Sequence, residues 1–394
     1  MRLIASGGGT GGHVYPALTV IDALVTGAGG SEGRRSVPDA GAHEPLPALS
    51  PTDVLWIGSR GGMEEELVQR AGIEFAGLPA GGVRSVGAAL ALRNAAQIAG
   101  SVGRARGLIR RFAPDVVLIT GGYASVAVGL GAWLERVPIV IYLPDVVPGL
   151  AIRFLSRFAA RIAVTSEASY QFFPLDKVVV TGYPVRREVY EVSRAEARQV
   201  MGLDAEGRVL LAFGGSRGAR SINRAVTAGL GELLDAAQVV HLSGRLDAGW
   251  VATATNRLPQ GQRARYHPYE YLHDMPRALA AADLVIARAG AATLGEFPAA
   301  ALPSILVPYP HSGQHQVPNA AHLAEAGAAV ILDDADLAEK LVPTALRLLS
   351  DEQALAEMRQ AARSLARPDA AVAIAHVLWQ VAGARQARGT GARL

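Results

Sequence analysis

Leu3-Ile4-Ala5-Ser6-Gly7-Gly8-Gly9-Thr10-Gly11-Gly12-His13-Val14 is a short apolar run that breaks into glycine and reopens as a helix-forming stretch with Pro16 near its first turn. Further along, Val209-Leu210-Leu211-Ala212-Phe213 runs in the same way into Gly214-Gly215-Ser216-Arg217-Gly218. A glycine-rich turn between a buried strand and a helix lets backbone amides approach an anion, while the helix N-terminus adds partial positive charge. The repetition predicts two tandem α/β domains, each opening on a phosphate-competent turn.

Working outward, β-rich apolar runs recur at residues 54–57, 116–120, 139–142, 162–165 and 178–181, and again at 239–242, 284–287, 305–307 and 330–332. Helix-forming segments separate most of them. Fully apolar strands alternating with helices predict parallel sheets covered on both faces. The boundary is expected at Gly182-Tyr183-Pro184, giving a first domain over 1–183 and a second over 184–368. Residues 369–383 are expected to form a helix crossing back to the first domain, with 384–394 a disordered basic tail. The segment 27–51 lacks periodicity and reads as a mobile loop. Residues 116–134 are uncharged, but Gly121-Gly122 divides them into a strand and a helix rather than a membrane span.

The chain has 394 residues, long for one core, with 50% apolar and 19% charged residues, so a globular protein is expected rather than a disordered one. Zero cysteines exclude disulfides, thiolate catalysis and Cys-ligated metal. Only Lys177 and Lys340 are lysines among 38 basic residues. The net charge is +3, and no basic run carries interleaved aromatics, so nucleic acid is not expected as a partner. The N-terminus has no charged segment followed by an apolar one, which predicts a cytoplasmic protein.

Three turns are therefore candidate phosphate sites: 7–12, Gly121-Gly122-Tyr123-Ala124-Ser125, and 214–218. Gly7, Gly9 and Gly12 also fit a dinucleotide fingerprint, but the next strand ends in Gly58-Ser59-Arg60 with no acid for a ribose diol. Arg60 suits a 2′-phosphate, which keeps an NADP-dependent oxidoreductase as an alternative. His13, next to the first turn, is a candidate general base. Arg288-Ala289-Gly290-Ala291-Ala292-Thr293-Leu294-Gly295-Glu296 places a carboxylate early in a helix, where it can chelate a ribose diol. His311, His315, Gln316 and Asn319 offer groups for sugar hydroxyls. Asp334-Ala335-Asp336 reads as a helix N-cap, and no metal site is predicted.

Together, Gly8 to Val14 with Pro16, Gly121-Gly122-Tyr123, Gly214-Gly215-Ser216 with Gly218-Ala219-Arg220, and Gly290 to Glu296 followed by His315-Gln316 and Asn319-Ala320 resemble the MurG type of peptidoglycan N-acetylglucosaminyltransferase. The resemblance runs to about Val381. It implies the GT-B fold, two Rossmann-like parallel-sheet domains with a cleft between them, and no cofactor. It further implies an inverting transfer of GlcNAc from UDP-GlcNAc to the MurNAc 4-hydroxyl of undecaprenyl-diphosphate-MurNAc-pentapeptide (lipid I), giving lipid II. An idle relative, or one with another acceptor, is the remaining alternative.

By that resemblance, Glu296 binds the uridine ribose, the backbone near Leu272 the uracil, and Ser216 and Arg186 the donor diphosphate. The turn Ala291, Ala292, Thr293, Leu294 and Gly295 lines the donor, and His315 and Gln316 read the GlcNAc. Thr10, Gly11 and Gly12 lie at the cleft with His13 as base, while Gly121, Gly122 and Tyr123 face the acceptor diphosphate. The chain departs from the family's His-Glu-Gln-Asn with Tyr142-Leu143-Pro144-Asp145, leaving Asp145 as a candidate sugar ligand and acceptor handling as the point in question. Arg217 stands where the family commonly has Gln. Residues 75–114 hold no acid but carry Arg84, Arg93, Arg104, Arg106, Arg110 and Arg111, and Arg153, Arg157 and Arg161 follow with Phe154 and Phe158. This predicts peripheral binding to an anionic membrane on its inner face, alongside other cell-wall synthesis proteins.

Overall fold

The computed structural model describes residues 1–8, 11–27, 46–79, 88–215, 218–310 and 315–391, with side chains described for all of these except 88–98 and 388–391. The chain divides into two compact units, Met1–Pro184 with Pro368–Leu394, and Val185–Arg367.

The first unit is a seven-stranded parallel sheet: β1 (Leu3–Ser6), β2 (Val54–Ser59), β3 (Glu74–Leu78), β4 (Val116–Ile119), β5 (Ile139–Leu143), β6 (Arg161–Val164) and β7 (Val178–Val180), in the order β3-β2-β1-β4-β5-β6-β7. The second is a six-stranded parallel sheet: β8 (Val209–Phe213), β9 (Gln238–Leu242), β10 (Tyr266–Tyr269), β11 (Leu284–Ala287), β12 (Ser304–Leu306) and β13 (Ala329–Ile331), in the order β10-β9-β8-β11-β12-β13. Each order reverses direction once, between β1 and β4 and between β8 and β11. In an open doubly wound sheet the crevice beyond the carboxyl ends at that reversal is where ligands bind. The turns singled out in the sequence follow these four strands.

The inner strands are largely apolar because helices cover both faces. Leu3, Ala5, Val116 and Leu118 join one core of the first unit, while Ile4, Val117 and Ile119 join the other. The helix Ala370–Gly391 places Ile374, Ala375, Leu378 and Ala382 in the first of these cores, beside Val14, Val20 and Leu24 of the helix Gly11–Val25.

Three sequence expectations need correction. β3 and β10 were not foreseen: both are edge strands, only partly buried, with sequences Glu-Phe-Ala-Gly-Leu and Tyr-His-Pro-Tyr that carry no apolar run. Pro268 is tolerated in β10 because an edge strand pairs on one side only. The expected disordered tail over 384–394 is helical as far as Gly391. Arg385 Nη1 donates to the Pro114 carbonyl and Gln386 Nε2 to Asp115 Oδ1 at 3.2 Å, which extends the helix over the first unit. Most of the 27–51 segment, with Arg84 and Arg93, lies outside the residues whose side chains are described. Among the described residues no helix is long and apolar enough to cross a membrane.

Candidate functional site

In the first unit the turns after β1 and β4 interlock. A Cβ on Gly122 would stand 2.7 Å from the Gly8 carbonyl oxygen, and Gly122 has φ +90°. Both facts require glycine there. Thr120 Oγ1 donates to the His13 carbonyl at 2.7 Å, and the buried Ser125 donates to the Gly121 carbonyl at 2.6 Å. The acceptor-side candidates Gly121 and Gly122 thus lie directly against the His13 turn, with Tyr123 exposed beside them.

His13 sits in the first turn of the helix Gly11–Val25, with Gly11 and Gly12 preceding it. Its Nδ1 is 3.2 Å from the Gly8 carbonyl. A carbonyl only accepts, so Nδ1 is the donor in that bond. Nε2 stands 3.9 Å from Asp145 Oδ2. A Cβ on Gly121 would lie 3.3 Å from Nε2, so glycine keeps that side of the ring open. Thr10 lies outside the described residues.

The departure at 142–145 is narrower than the sequence suggests. Tyr142 and Leu143 are both buried on β5, Tyr142 in one core and Leu143 in the other. Tyr142 Oη bonds Thr165 Oγ1 at 3.0 Å. Of the four residues, Asp145 is the one whose side chain meets His13.

Glu64 was not anticipated. It is buried, its Oε1 accepts from Ser59 N–H at 3.0 Å, and a Cβ on Gly8 or Gly62 would meet its carboxyl at 2.5 Å. The glycines at 61–62 preceding Glu64-Glu65-Glu66 were the available signal.

In the second unit, Gly214, Gly215 and Gly218 make the turn after β8. A Cβ on Gly218 would meet the Ser243 carbonyl at 2.4 Å. Ser216 and Arg217 lie outside the described residues. The helix Arg220–Ala228 that follows is anchored through a buried network. Arg220 Nε donates to Asp247 Oδ1 at 2.9 Å, and Asn223 Nδ2 donates to Asp247 Oδ2 at 2.9 Å. Asn223 Oδ1 accepts from His241 Nε2 at 3.0 Å, while His241 Nδ1 accepts from Tyr266 Oη at 2.9 Å. Burial pushes His241 down to about 4, so it is neutral at pH 7. Burial opposes ionisation of Asp247, but hydrogen bonds from Trp250, Asn223 and Arg220 hold it below the usual carboxylate range.

Beyond β11, Arg288 fixes the turn. Its Nη1 donates to Asp334 Oδ1 at 2.5 Å and its Nη2 to Ser221 Oγ at 2.8 Å. Asp334 is therefore an ion-pair partner, while Asp336 holds the expected N-cap position of the helix Leu337–Ser350, its side chain accepting from Lys340 Nζ at 2.7 Å rather than from the backbone. The N–H groups of Thr293, Leu294 and Gly295 are taken by the carbonyls of Gly290, Ala291 and Ala292, and Thr293 Oγ1 by Gly290. Among these candidates, Ala291 and Ala292 keep amides free of such bonds among the described residues.

Glu296, in the helix Thr293–Ala299, receives no hydrogen bond on its carboxylate among the described residues. Burial raises its pKa, and the Arg186 guanidinium partly offsets this. A desolvated carboxylate without donors is suited to a diol, whose two hydroxyls supply them. Gln316 Oε1 accepts from Tyr309 N–H at 2.9 Å, with His315 at the N-terminus of the helix Gln316–Glu325. Asn319, expected to face a sugar, is buried and donates to the Ala289 carbonyl at 3.1 Å. Leu272 is half-buried beside the packed rings of Tyr271 and His273. His311 lies outside the described residues.

Residues 47–164 match the glycosyltransferase family 28 N-terminal domain and residues 209–374 the family 28 C-terminal domain. A protein of Roseiflexus sp. (strain RS-1), UDP-N-acetylglucosamine--N-acetylmuramyl-(pentapeptide) pyrophosphoryl-undecaprenol N-acetylglucosamine transferase, is 41% identical over 96% of this chain and 94% of its own. The chain belongs to the MurG type of family 28 glycosyltransferases. A protein of the same name from Desulforudis audaxviator is 38% identical, covering 97% of this chain and 99% of its own. The structure of Acinetobacter baumannii MurG superimposes with a TM-score of 0.71 at 24% identity, covering 96% of this chain and 99% of its own, and shows the fold. The family resemblance drawn from the motifs is borne out, together with the α/β GT-B class. The oxidoreductase alternative falls.

Proposed function

We propose that the chain transfers GlcNAc from UDP-GlcNAc to the MurNAc 4-hydroxyl of lipid I, producing lipid II with inversion at the anomeric carbon. The observation that carries this reading is Glu296, a half-buried carboxylate with Arg186 as its charge partner and no hydrogen-bond donor among the described residues, placed where the second sheet reverses. Glu296 takes the uridine ribose diol and the backbone near Leu272 the uracil. The Gly214 turn with Ser216, Arg186 and the N-terminus of the helix Arg220–Ala228 holds the donor diphosphate and stabilises it as UDP departs. His315 and Gln316 read the GlcNAc hydroxyls, and Ala291 and Ala292 offer backbone donors.

Nε2 of His13 accepts the proton of the attacking hydroxyl, and Asp145 faces the imidazolium so formed. Thr10, Gly11 and Gly12 shape this turn, while Gly121, Gly122 and Tyr123 take the acceptor diphosphate. The test is transfer of labelled GlcNAc from UDP-GlcNAc to a soluble lipid I analogue with a chelator present. Turnover supports the reading. Protein that binds UDP-GlcNAc without turning over this acceptor sinks it and favours an idle relative or another acceptor, with Asp145→Asn the first variant to try.

Peripheral attachment to the inner face of an anionic membrane belongs to the same proposal. Trp133 and Phe154 each pack on Phe158, and Trp133, Leu134, Leu150 and Phe154 are exposed, Leu150 by 87%. Arg153 and Arg157 flank them. Arg106 and Arg110 hold Glu135 as an ion pair and contribute less free charge than the sequence suggests. Co-sedimentation with anionic vesicles at low salt, and its absence with neutral ones, is the expected result. Equal pelleting with both would remove the membrane claim.

A further inference from the structure

Asp283 stands at the entrance to β11 with its carboxylate 2% exposed, and four guanidinium groups converge on it. One oxygen is fully used: Arg198 Nη2 donates to Oδ2 at 2.7 Å and Val209 N–H at 2.9 Å. At Oδ1, Arg194 Nη1 donates at 2.5 Å, while Arg208 Nη1 and Arg359 Nη2 stand off at 3.8 and 3.5 Å. Among the described residues, neither Arg208 nor Arg359 donates a hydrogen bond. Arg359 Nε and Nη2 are both enclosed without a hydrogen-bond acceptor, which leaves Nη1 as its outward donor. The second acid nearby, Glu352, is 90% exposed and 4.0 Å from Arg208. Arg363 lies one turn beyond Arg359 and adds further positive charge.

One buried carboxylate cannot balance four guanidiniums, and Arg194, Arg208 and Arg359 all keep part of their surface in solvent. The forks converge on the Asp283 carboxylate, and Arg208 with the solvent-facing parts of Arg194 and Arg359 leaves guanidinium donors beside it of the kind that match the oxygens of a phosphate group. Arg208 precedes β8 and Asp283 precedes β11, so the cluster lies at the amino ends of strands whose carboxyl ends carry the Gly214 and Gly290 turns. A strand of this length separates the two ends by roughly 13–17 Å.

We propose that Arg194, Arg208 and Arg359 form a second oxyanion site, for a phosphate-class dianion, separate from the donor diphosphate turn. It stands independently of which sugar nucleotide occupies the other end of the sheet. Free phosphate and a phospholipid headgroup share this chemistry.

The test titrates inorganic phosphate calorimetrically into protein saturated with UDP, against chloride of matched ionic strength. Saturable phosphate binding is expected. The Arg208→Ala/Arg359→Ala variant, checked for an intact melt and UDP affinity, should bind phosphate about tenfold more weakly. Glu352→Gln removes an exposed acid and should bind it about twofold more tightly, a readout that survives if the double variant does not fold. Pelleting with phosphatidylglycerol vesicles separates the sources. Weaker pelleting of the double variant assigns the site to a headgroup, and unchanged pelleting with lost phosphate affinity assigns it to the free anion. No saturable phosphate binding together with unchanged pelleting overturns the proposal, as does equal phosphate affinity in wild type, double variant and Glu352→Gln.

Discussion

Glu296 is ionised at a cost that a bound ribose would repay: burial raises its pKa, the Arg186 guanidinium offsets only part of this, and no hydrogen bond reaches its carboxylate among the described residues. Protonation removes the acceptor pair a diol needs, so donor affinity should fall on acidification sooner than it would for an exposed glutamate. Glu296→Gln should weaken UDP binding by tenfold or more, measured by calorimetry, while raising the melting temperature of the free protein by about 1–3 °C, because a desolvated charge disappears. A variant that loses affinity and stability together would contradict this account. Gly122→Ala tests the interlocked turns. With φ at +90° and the Gly8 carbonyl 2.7 Å from the new methyl carbon, it should cost about 2–4 kcal/mol in denaturant unfolding of the first unit.

At the scale of elements, the chain Tyr266, His241, Asn223, Asp247 and Arg220 joins β9, β10 and the helix behind the donor diphosphate turn. Asn223→Ala leaves a buried imidazole N–H and a carboxylate oxygen short of a partner, at a cost of about 2–4 kcal/mol. A KM increase for UDP-GlcNAc larger than the fall in kcat would identify its role as holding that helix. His241 adds a pH dependence of known sign. The unfolded chain takes up a proton near 6.5 and the native protein not until about 4, even with Asp247 facing the ring and favouring the charge. Between those values the unfolded state binds more protons, so stability falls as pH drops from about 6.5 to 4 and is constant above. The total is on the order of 3 kcal/mol. Urea midpoints of wild type and His241→Gln across that range should converge toward pH 4, and parallel curves would refute the assignment.

For the whole molecule, the helix Ala370–Gly391 returns from the second unit to complete a core of the first, with Ile374 and Leu378 fully buried. A chain ending at Arg367 exposes that core. Calorimetry should then lose the transition of the first unit while the UDP-protected transition of the second persists. Retention of both transitions would mean that the helix only rests on the surface.

The sequence by itself determined two tandem α/β units, eleven of the thirteen described strands and the turns after β1, β4, β8 and β11, because a parallel strand in a covered sheet is largely apolar and a tight strand-to-helix turn needs small residues. Those signals are local. β3 and β10 escaped because an edge strand is exposed enough to carry Glu74 or Pro268, and the tail helix escaped because its anchor, Pro114-Asp115, is remote in sequence. Only the tertiary structure decided which side chains meet. The reversal of strand order sets Gly122 against Gly8, the end of β5 brings Asp145 to His13, and Asn319 and Asp334 are spent on Ala289 and Arg288. The arginines around Asp283 come from separate segments as well. Partner choice depends on strand order and helix packing, which summed burial fixes across the whole domain and which no short stretch of residues encodes.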